Sequence, residues 1–155
     1  MIPPTDDLDR IMAIMVTAFD PVFGEAWSRR QLEDSLILGN CYYELITTEG
    51  HQPAPGEAAA GFFLSRMGVE DEELLLLAVT PQYRRNGLAA RLLVKFAAAA
   101  RNRGALRLLL EMRQGNAAEA LYLRHGFLPI GRRPHYYRTA TGEHLDAITF
   151  AHDCE

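Results

Sequence analysis

Two stretches of this chain carry side chains whose types and spacing could do chemistry. The first is Arg84-Arg85-Asn86-Gly87-Leu88-Ala89, which follows an apolar run, Leu74 to Val79, closed by Thr80 and Pro81. A strand, a glycine turn and a helix in that order build an anion site. The first helical turn exposes amide N–H groups without intrahelical partners at the positive end of the macrodipole. Gly87 lets a phosphate approach the backbone closely, and Arg84 and Arg85 add charge and forked donors. The alternative is an ordinary strand-to-helix connection with solvated arginines. The spacing fits neither GxxxxGK[ST] nor GxGxxG, so those two phosphate loops are excluded.

The second stretch runs from Leu110 to Phe127. Glu111 interrupts a run that otherwise reads as core, Leu108-Leu109-Leu110 before it and Met112 after it. An unpaired buried carboxylate is costly, so the position is either functional, ion-paired with Arg113, or at a solvent-exposed strand end. Asn116 and Tyr122 follow. Taken alone, they read as a helix cap and a half-buried aromatic.

Both stretches need elements to position them. Leu74 to Val79 and Leu106 to Met112 are apolar enough to be strands covered on both faces. Between them Leu88, Leu92 and Phe96 mark a helix from about Gly87 to Asn102, with Gly104 as its C′ residue. A strand, a helix and a second buried strand form a βαβ unit, which predicts a parallel pair. Ahead of it, Cys41 to Thr47 and Ala58 to Met67 read as strands joined by the turn material EGHQPAPG. With Gly68 to Glu73 as an acidic hairpin turn, they extend the central strand into an antiparallel meander.

Two amphipathic helices come first. Thr5 is placed to cap one, with Leu8, Ile11, Met12, Met15 and Phe19 at helical spacing. Ser28-x-x-Gln31 is a capping box for another over Ser28 to Leu38, with Trp27 able to pack on Leu32. The loop between them is unusually aromatic, holding Phe19, Phe23 and Trp27; it contacts the core or lines a site. At the other end Asn116 caps a helix ended by Gly126. FLPIGRRPHYY and LDAITFAH then close the chain as an antiparallel hairpin.

Size and composition set limits on function. A chain of 155 residues suits one domain, and 48% apolar with 23% charged residues excludes a disordered chain. A net charge of −4 disfavours nucleic acid as partner and mildly favours basic substrates. Cys41 and Cys154 are far apart and form no metal or disulfide pattern, which points to a reducing cytoplasm and no bound metal. MIPPTDDLDR has no apolar h-region of a signal peptide, and no run reaches the ~20 residues of a membrane span.

Arg84-x-x-Gly87-x-Ala89 resembles the [Q/R]xxGx[G/A] signature of the GNAT superfamily of acetyl-CoA-dependent N-acetyltransferases. LEMRQGNAAEALYLRHGF, from Leu110 to Phe127, is similar to the LEVRxxNxxAxxLYxxxGF pattern of RimI-type ribosomal-protein alanine N-acetyltransferases within it. Arg132, Arg133, Tyr136 and Tyr137, then Asp146-Ala147, resemble the RRxYY and EDA elements of that group's last hairpin, and Ala26-Trp27-Ser28 its FPWS entry. The resemblance implies a single-domain α/β GNAT fold over residues 1–155: a mixed, mostly antiparallel sheet of six to seven strands flanked by about four helices.

It also implies roles. Backbone groups of Ala78 and Val79 would hold the pantetheine of acetyl-CoA. The amides of Arg84, Arg85, Asn86, Gly87, Leu88 and Ala89 would hold its pyrophosphate, with Asn116 touching the same arm. Glu111 matches the family's general base and Tyr122 its general acid; Trp27, Tyr136 and Tyr137 lie on the acceptor side. Leu76, Pro134-His135 and Leu145 depart from the group's pattern near that side. The acceptor is then a protein N-terminal amine or a small amine, and a non-catalytic acyl-CoA-binding module is a third reading.

The chemistry of the amine bears on that choice. At neutral pH about a tenth of an α-amine is uncharged, against less than a thousandth of a lysine side chain. A single carboxylate base suits the former. A phenol of ordinary pKa, about 10, lies only ~1.5 units above a thiol of about 8.5, a gap of about 2 kcal/mol that a mildly perturbed Tyr122 would cover.

Overall fold

The computed structural model describes the backbone of residues 5–154 and the side chains from residue 7 onward, so the Thr5 cap lies outside the described side chains. Helix α1 (Thr5–Ala18) and helix α2 (Arg29–Ile37) come first, the latter started by the expected Ser28/Gln31 capping box. Strands β1 (Cys41–Ile46), β2 (Gly61–Met67) and β3 (Asp71–Val79) form the antiparallel meander. Helix α3 (Leu88–Asn102) leads to β4 (Arg107–Arg113), parallel to β3. A short helix, α4 (Glu119–Arg124), precedes the hairpin β5 (Leu128–Arg138) and β6 (His144–Asp153). The hairpin folds back so that β6 lies between β4 and β5. The six-stranded sheet therefore has the order β1-β2-β3-β4-β6-β5, with β3–β4 its one parallel pair.

The sheet is covered on both faces. Leu8, Ile11, Met15 and Leu32 of α1 and α2 pack on one side. Leu92, Leu93 and Phe96 of α3 pack on the other, where Phe96 meets Phe63 edge-on at 5.8 Å. Each such apolar side chain contributes roughly 1.5–3 kcal/mol by leaving water. The register of β2 and β3 steps from Ser65↔Leu74 to Leu64↔Leu76, leaving Leu75 unpaired in a bulge. The bulge exchanges the faces, so Leu74 joins the α3 side while Leu76 and Ala78 join the α1/α2 side. That exchange is why the run carries no polar alternation.

The βαβ unit is paired along only part of its length. The β3–β4 ladder runs from Asp71↔Arg107 to Leu74↔Leu110 and stops. Beyond it, β3 keeps only β2 as a partner and β4 keeps only β6. The two strands thus have backbone edges without a strand partner from Leu75 to Val79 and from Glu111 to Arg113, and such groups need partners, which Val79 O finds in the Arg84 side chain.

Two local expectations are corrected. The acidic turn is shorter than Gly68 to Glu73, because β3 starts at Asp71. Glu72 is fully buried there, where the Arg103 side chain donates to both of its oxygens and Ser65 Oγ donates at 2.6 Å. The fourth helix starts at Glu119, with Ala118 at its N-cap. Asn116 instead makes the preceding turn: its Oδ1 accepts from Ala118 N at 2.8 Å and its carbonyl from Glu119 N at 3.2 Å.

Candidate active site

The splayed ends of β3 and β4 open onto a cavity of about 590 Å³. Leu77, Ala78 and Val79 line it from β3, Arg113 from β4, and residues 87–90 from the start of α3. Asn116 and Tyr122 close it from the α4 side, and Phe19, Phe23 and Glu25 from the loop between α1 and α2.

The entry to α3 has the form the sequence suggested. Gly87 is its N-cap with φ 76, a left-handed conformation that favours glycine, and no side chain caps the helix. Arg91 N–H is the first to bond back, to Gly87 O at 3.1 Å. The N–H groups of Leu88, Ala89 and Ala90 therefore have no intrahelical partner. A Cβ built on Gly87 meets nothing within 4 Å, so the approach is open. Arg85 is also left-handed, with φ 69.

Arg84 does a different job from the one its charge suggests. Its guanidinium donates to Val79 O at 3.3 Å and to Ala18 O at 2.6 Å, and its amide donates to Pro81 O at 3.2 Å. It braces the end of β3 against the end of α1. Arg84, Arg85 and Arg124 line the cavity and make its outer part cationic; Asn86 is exposed beside them.

Tyr122 is buried, 8% exposed, where a half-buried ring was expected. Its ring stands edge-on to Phe127 at 6.1 Å. Gly126, with φ 88, ends the helix so that Phe127 can pack back. Burial, followed by the charge of Glu25, pushes the phenol up to about 12. This overturns the expectation of a mildly perturbed group. A donor some 3.5 units above a thiol lies about 5 kcal/mol uphill for full proton transfer. The phenol is suited to donating a hydrogen bond to a developing anion, with the proton retained.

Glu111 is 18% exposed and pairs with Arg133 Nε of β5 at 3.2 Å, with Thr149 Oγ1 donating to it at 3.5 Å. Arg133 is thus its partner in place of Arg113. It stands on the splayed part of β4 but is not among the residues lining the cavity. Tyr137 feels the charges of both Glu111 and the cavity's Glu25. Burial, then the charges of Glu111 and Glu25, push its phenol up to about 12 against the opposing Arg113. Tyr136 is exposed and meets Tyr137 edge-on at 5.2 Å. Trp27 packs against the α1/α2 core cluster, and its ring is not part of the cavity wall.

The Pro134-His135 departure forms a bulge. The β5–β6 register jumps from Arg133↔Ala147 to Tyr137↔Leu145. Asp146 holds it, accepting from His135 N at 2.9 Å and pairing with Arg132 at 2.6 Å, and these bonds lower its carboxyl below the ordinary range. His135 takes φ 56 within it.

Sequence reasoning missed Glu25. Arg113 Nε donates to its Oε1 at 3.3 Å, and the Arg113 guanidinium stacks 3.5 Å from the Phe23 ring centroid. The signal available was a carboxylate within a loop already noted as aromatic.

A splayed parallel strand pair with an uncapped helix start at its mouth forms a cleft suited to a phosphate-bearing ligand. Residues 42–129 match the Acetyltransferase (GNAT) domain family, and the chain belongs to it. It is 39% identical over 93 residues to the ribosomal protein bS18-alanine N-acetyltransferase of Salmonella typhimurium, a match covering 59% of this chain and 62% of that one. The Haemophilus influenzae protein of the same name is 28% identical over 125 residues, 81% of this chain and 80% of that one. In structure the chain is similar to the ribosomal-protein-S18-alanine N-acetyltransferase of Escherichia coli, with TM-score 0.77 and 29% identity over 99% of this chain and 91% of that one.

Acetyl-CoA is the cofactor of this family, and the residues here fit it. Free N–H groups at Leu88 to Ala90, an open Gly87 and neighbouring arginines suit a diphosphate. The edge of β3 at Leu77 to Val79, which lacks a strand partner, suits an amide-bearing arm.

Proposed function

We propose that this chain is an acetyl-CoA-dependent N-acetyltransferase acting on a protein N-terminal α-amine, the N-terminal alanine of a small-subunit ribosomal protein. The observation that carries it is the meeting, in one cavity, of the helix start at Gly87, the free edge of β3 and the buried phenol of Tyr122. The names of the Salmonella, Haemophilus and Escherichia relatives support the acceptor. An acceptor of that kind puts the reaction in the cytoplasm, in keeping with two free cysteines. No helix among the described residues is long and apolar enough to cross a membrane.

In this reading the amides of residues 85–90 and the arginines around them hold the diphosphate, and Ala78 and Val79 orient the arm. When bound, acetyl-CoA supplies a thioester, an acyl donor with a thiolate as leaving group. Glu111, which does not line the cavity, takes the proton of the acceptor amine through water, because only the neutral amine is nucleophilic. Tyr122, in the cavity wall, would donate its hydrogen bond to the thiolate that leaves the bound thioester. Tyr136, Tyr137 and Trp27 shape the acceptor side.

The test is an acceptor panel read by mass spectrometry: an alanine-starting peptide, the same peptide with a blocked N-terminus and an internal lysine, and the amines spermidine and kanamycin. The expected result is one acetyl group on the free N-terminus alone. Turnover confined to the small amines would overturn the peptide acceptor. No turnover with any amine would leave only the non-catalytic reading.

A further inference from the structure

We propose that Glu25 is the carboxylate that receives the acceptor's charged amine in the cavity. The inference rests on the N-acetyltransferase reading and adds a residue to it. An acceptor amine arrives mostly as an ammonium, since an α-amine titrates near 8. The cavity it must enter is lined by Arg84, Arg85, Arg113 and Arg124. Those cations suit an anionic donor and oppose a cationic acceptor, so the acceptor's end needs a counter-charge.

Among the described residues, two carboxylates line the cavity, Asp20 and Glu25. Asp20 is exposed and its Oδ1 accepts from Val22 N at 3.0 Å, capping the short turn Pro21–Phe23. Glu111, on the other hand, is held by Arg133 at 3.2 Å outside the cavity wall. Glu25 is left as the half-buried acid that faces Tyr122 across the same space, its side chain 20% exposed.

The loop around Glu25 is built to hold it. Gly24 takes the left-handed conformation, φ 63, and ends the turn Pro21–Phe23 just before Glu25. Val22 O accepts from Ala140 N at 2.8 Å, tying the loop to the tip of the β5–β6 hairpin. Arg113 stacks on Phe23 and donates to Oε1 of Glu25. Only Oε1 is so engaged, which leaves Oε2 as an acceptor for an ammonium N–H. A charge-assisted bond of this kind, partly shielded from water, is worth at least a tenfold effect on binding.

Peptide binding to the enzyme with CoA present tests this, using one sequence in two forms, free N-terminus and acetylated N-terminus. Glu25→Gln is expected to weaken the free-amine form about tenfold and to leave the acetylated form unchanged. KM for the acceptor should rise while kcat and KM for acetyl-CoA hold, and Glu25→Asp should recover part of the loss. Equal weakening of both forms, or no weakening, would overturn the inference. If the wild type acetylates spermidine but no peptide, the peptide reading fails separately. The Glu25→Gln effect on KM for spermidine then decides this inference, a tenfold rise keeping it and an unchanged value overturning it.

Discussion

The two ends of the β3–β4 pair are built from similar residues and do opposite things. At the closed end, Asp71 to Leu74 are hydrogen-bonded to Arg107 to Leu110, and Glu72 is sealed beneath Arg103, which also stacks 3.8 Å from the Tyr42 ring centroid. At the open end the ladder is gone, and Glu111, Arg113 and Glu25 meet Arg133, Phe23 and the cavity with part of their surface in water. Both ends hold glutamates paired with arginines. What separates them is whether the strands remain joined. Where they do, the charge is structural; where they part, the backbone edges and the charges are available to a ligand.

The largest effect should come from breaking the closed end. Arg103→Ala leaves Glu72 buried without its partner and is expected to cost about 3–5 kcal/mol, read from urea unfolding. Arg133→Ala, which frees the more exposed Glu111, should cost under about 1 kcal/mol. Equal costs would erase the distinction between the two pairs.

Alkaline titration sharpens the same contrast through Tyr122. Its phenol lies at about 12 in the fold against about 10 unfolded, so the unfolded chain loses its proton first. The stability from keeping it protonated is complete below pH 10 and lost as pH rises to 12, about 3 kcal/mol in all. Unfolding free energies measured across that range should fall for the wild type and fall less for Tyr122→Phe.

Tyr122→Phe keeps the ring against Phe127 and removes only the hydroxyl. Its kcat is expected to drop about 10²-fold, with the urea midpoint at neutral pH nearly unchanged. An unchanged kcat would take the hydroxyl out of the chemistry. A small effect is also expected from Gly87→Ala. The new Cβ meets no atom, so the cost is the left-handed backbone alone, about 1 kcal/mol, with weaker acetyl-CoA binding if the loop relaxes.

The sequence disclosed most of this fold because its signals were local. Apolar runs located β3 and β4, helical spacing located α1 and α3, and Ser28/Gln31 marked the start of α2. Glu72 escaped because its partners are distant in the chain. An acidic stretch, EDEE, looks like a solvated turn until Arg103, 31 residues later, folds over it. Glu25 escaped for the same reason, its link to Arg113 spanning 88 residues. Asn116 was displaced from the helix by the two-residue turn that its own side chain stabilises. The motifs brought Gly87, Ala78, Val79, Asn116 and Tyr122 to one cavity, while the pairing of Glu111 with Arg133 depended on how the last hairpin folds back.

Amide hydrogen exchange with and without acetyl-CoA tests most directly whether the strand splay is what binds. Exchange should slow at residues 75–79 and 85–90, while residues 71–74, already paired, stay as they were. Protection that misses both open stretches, or no change on adding acetyl-CoA, would contradict the account.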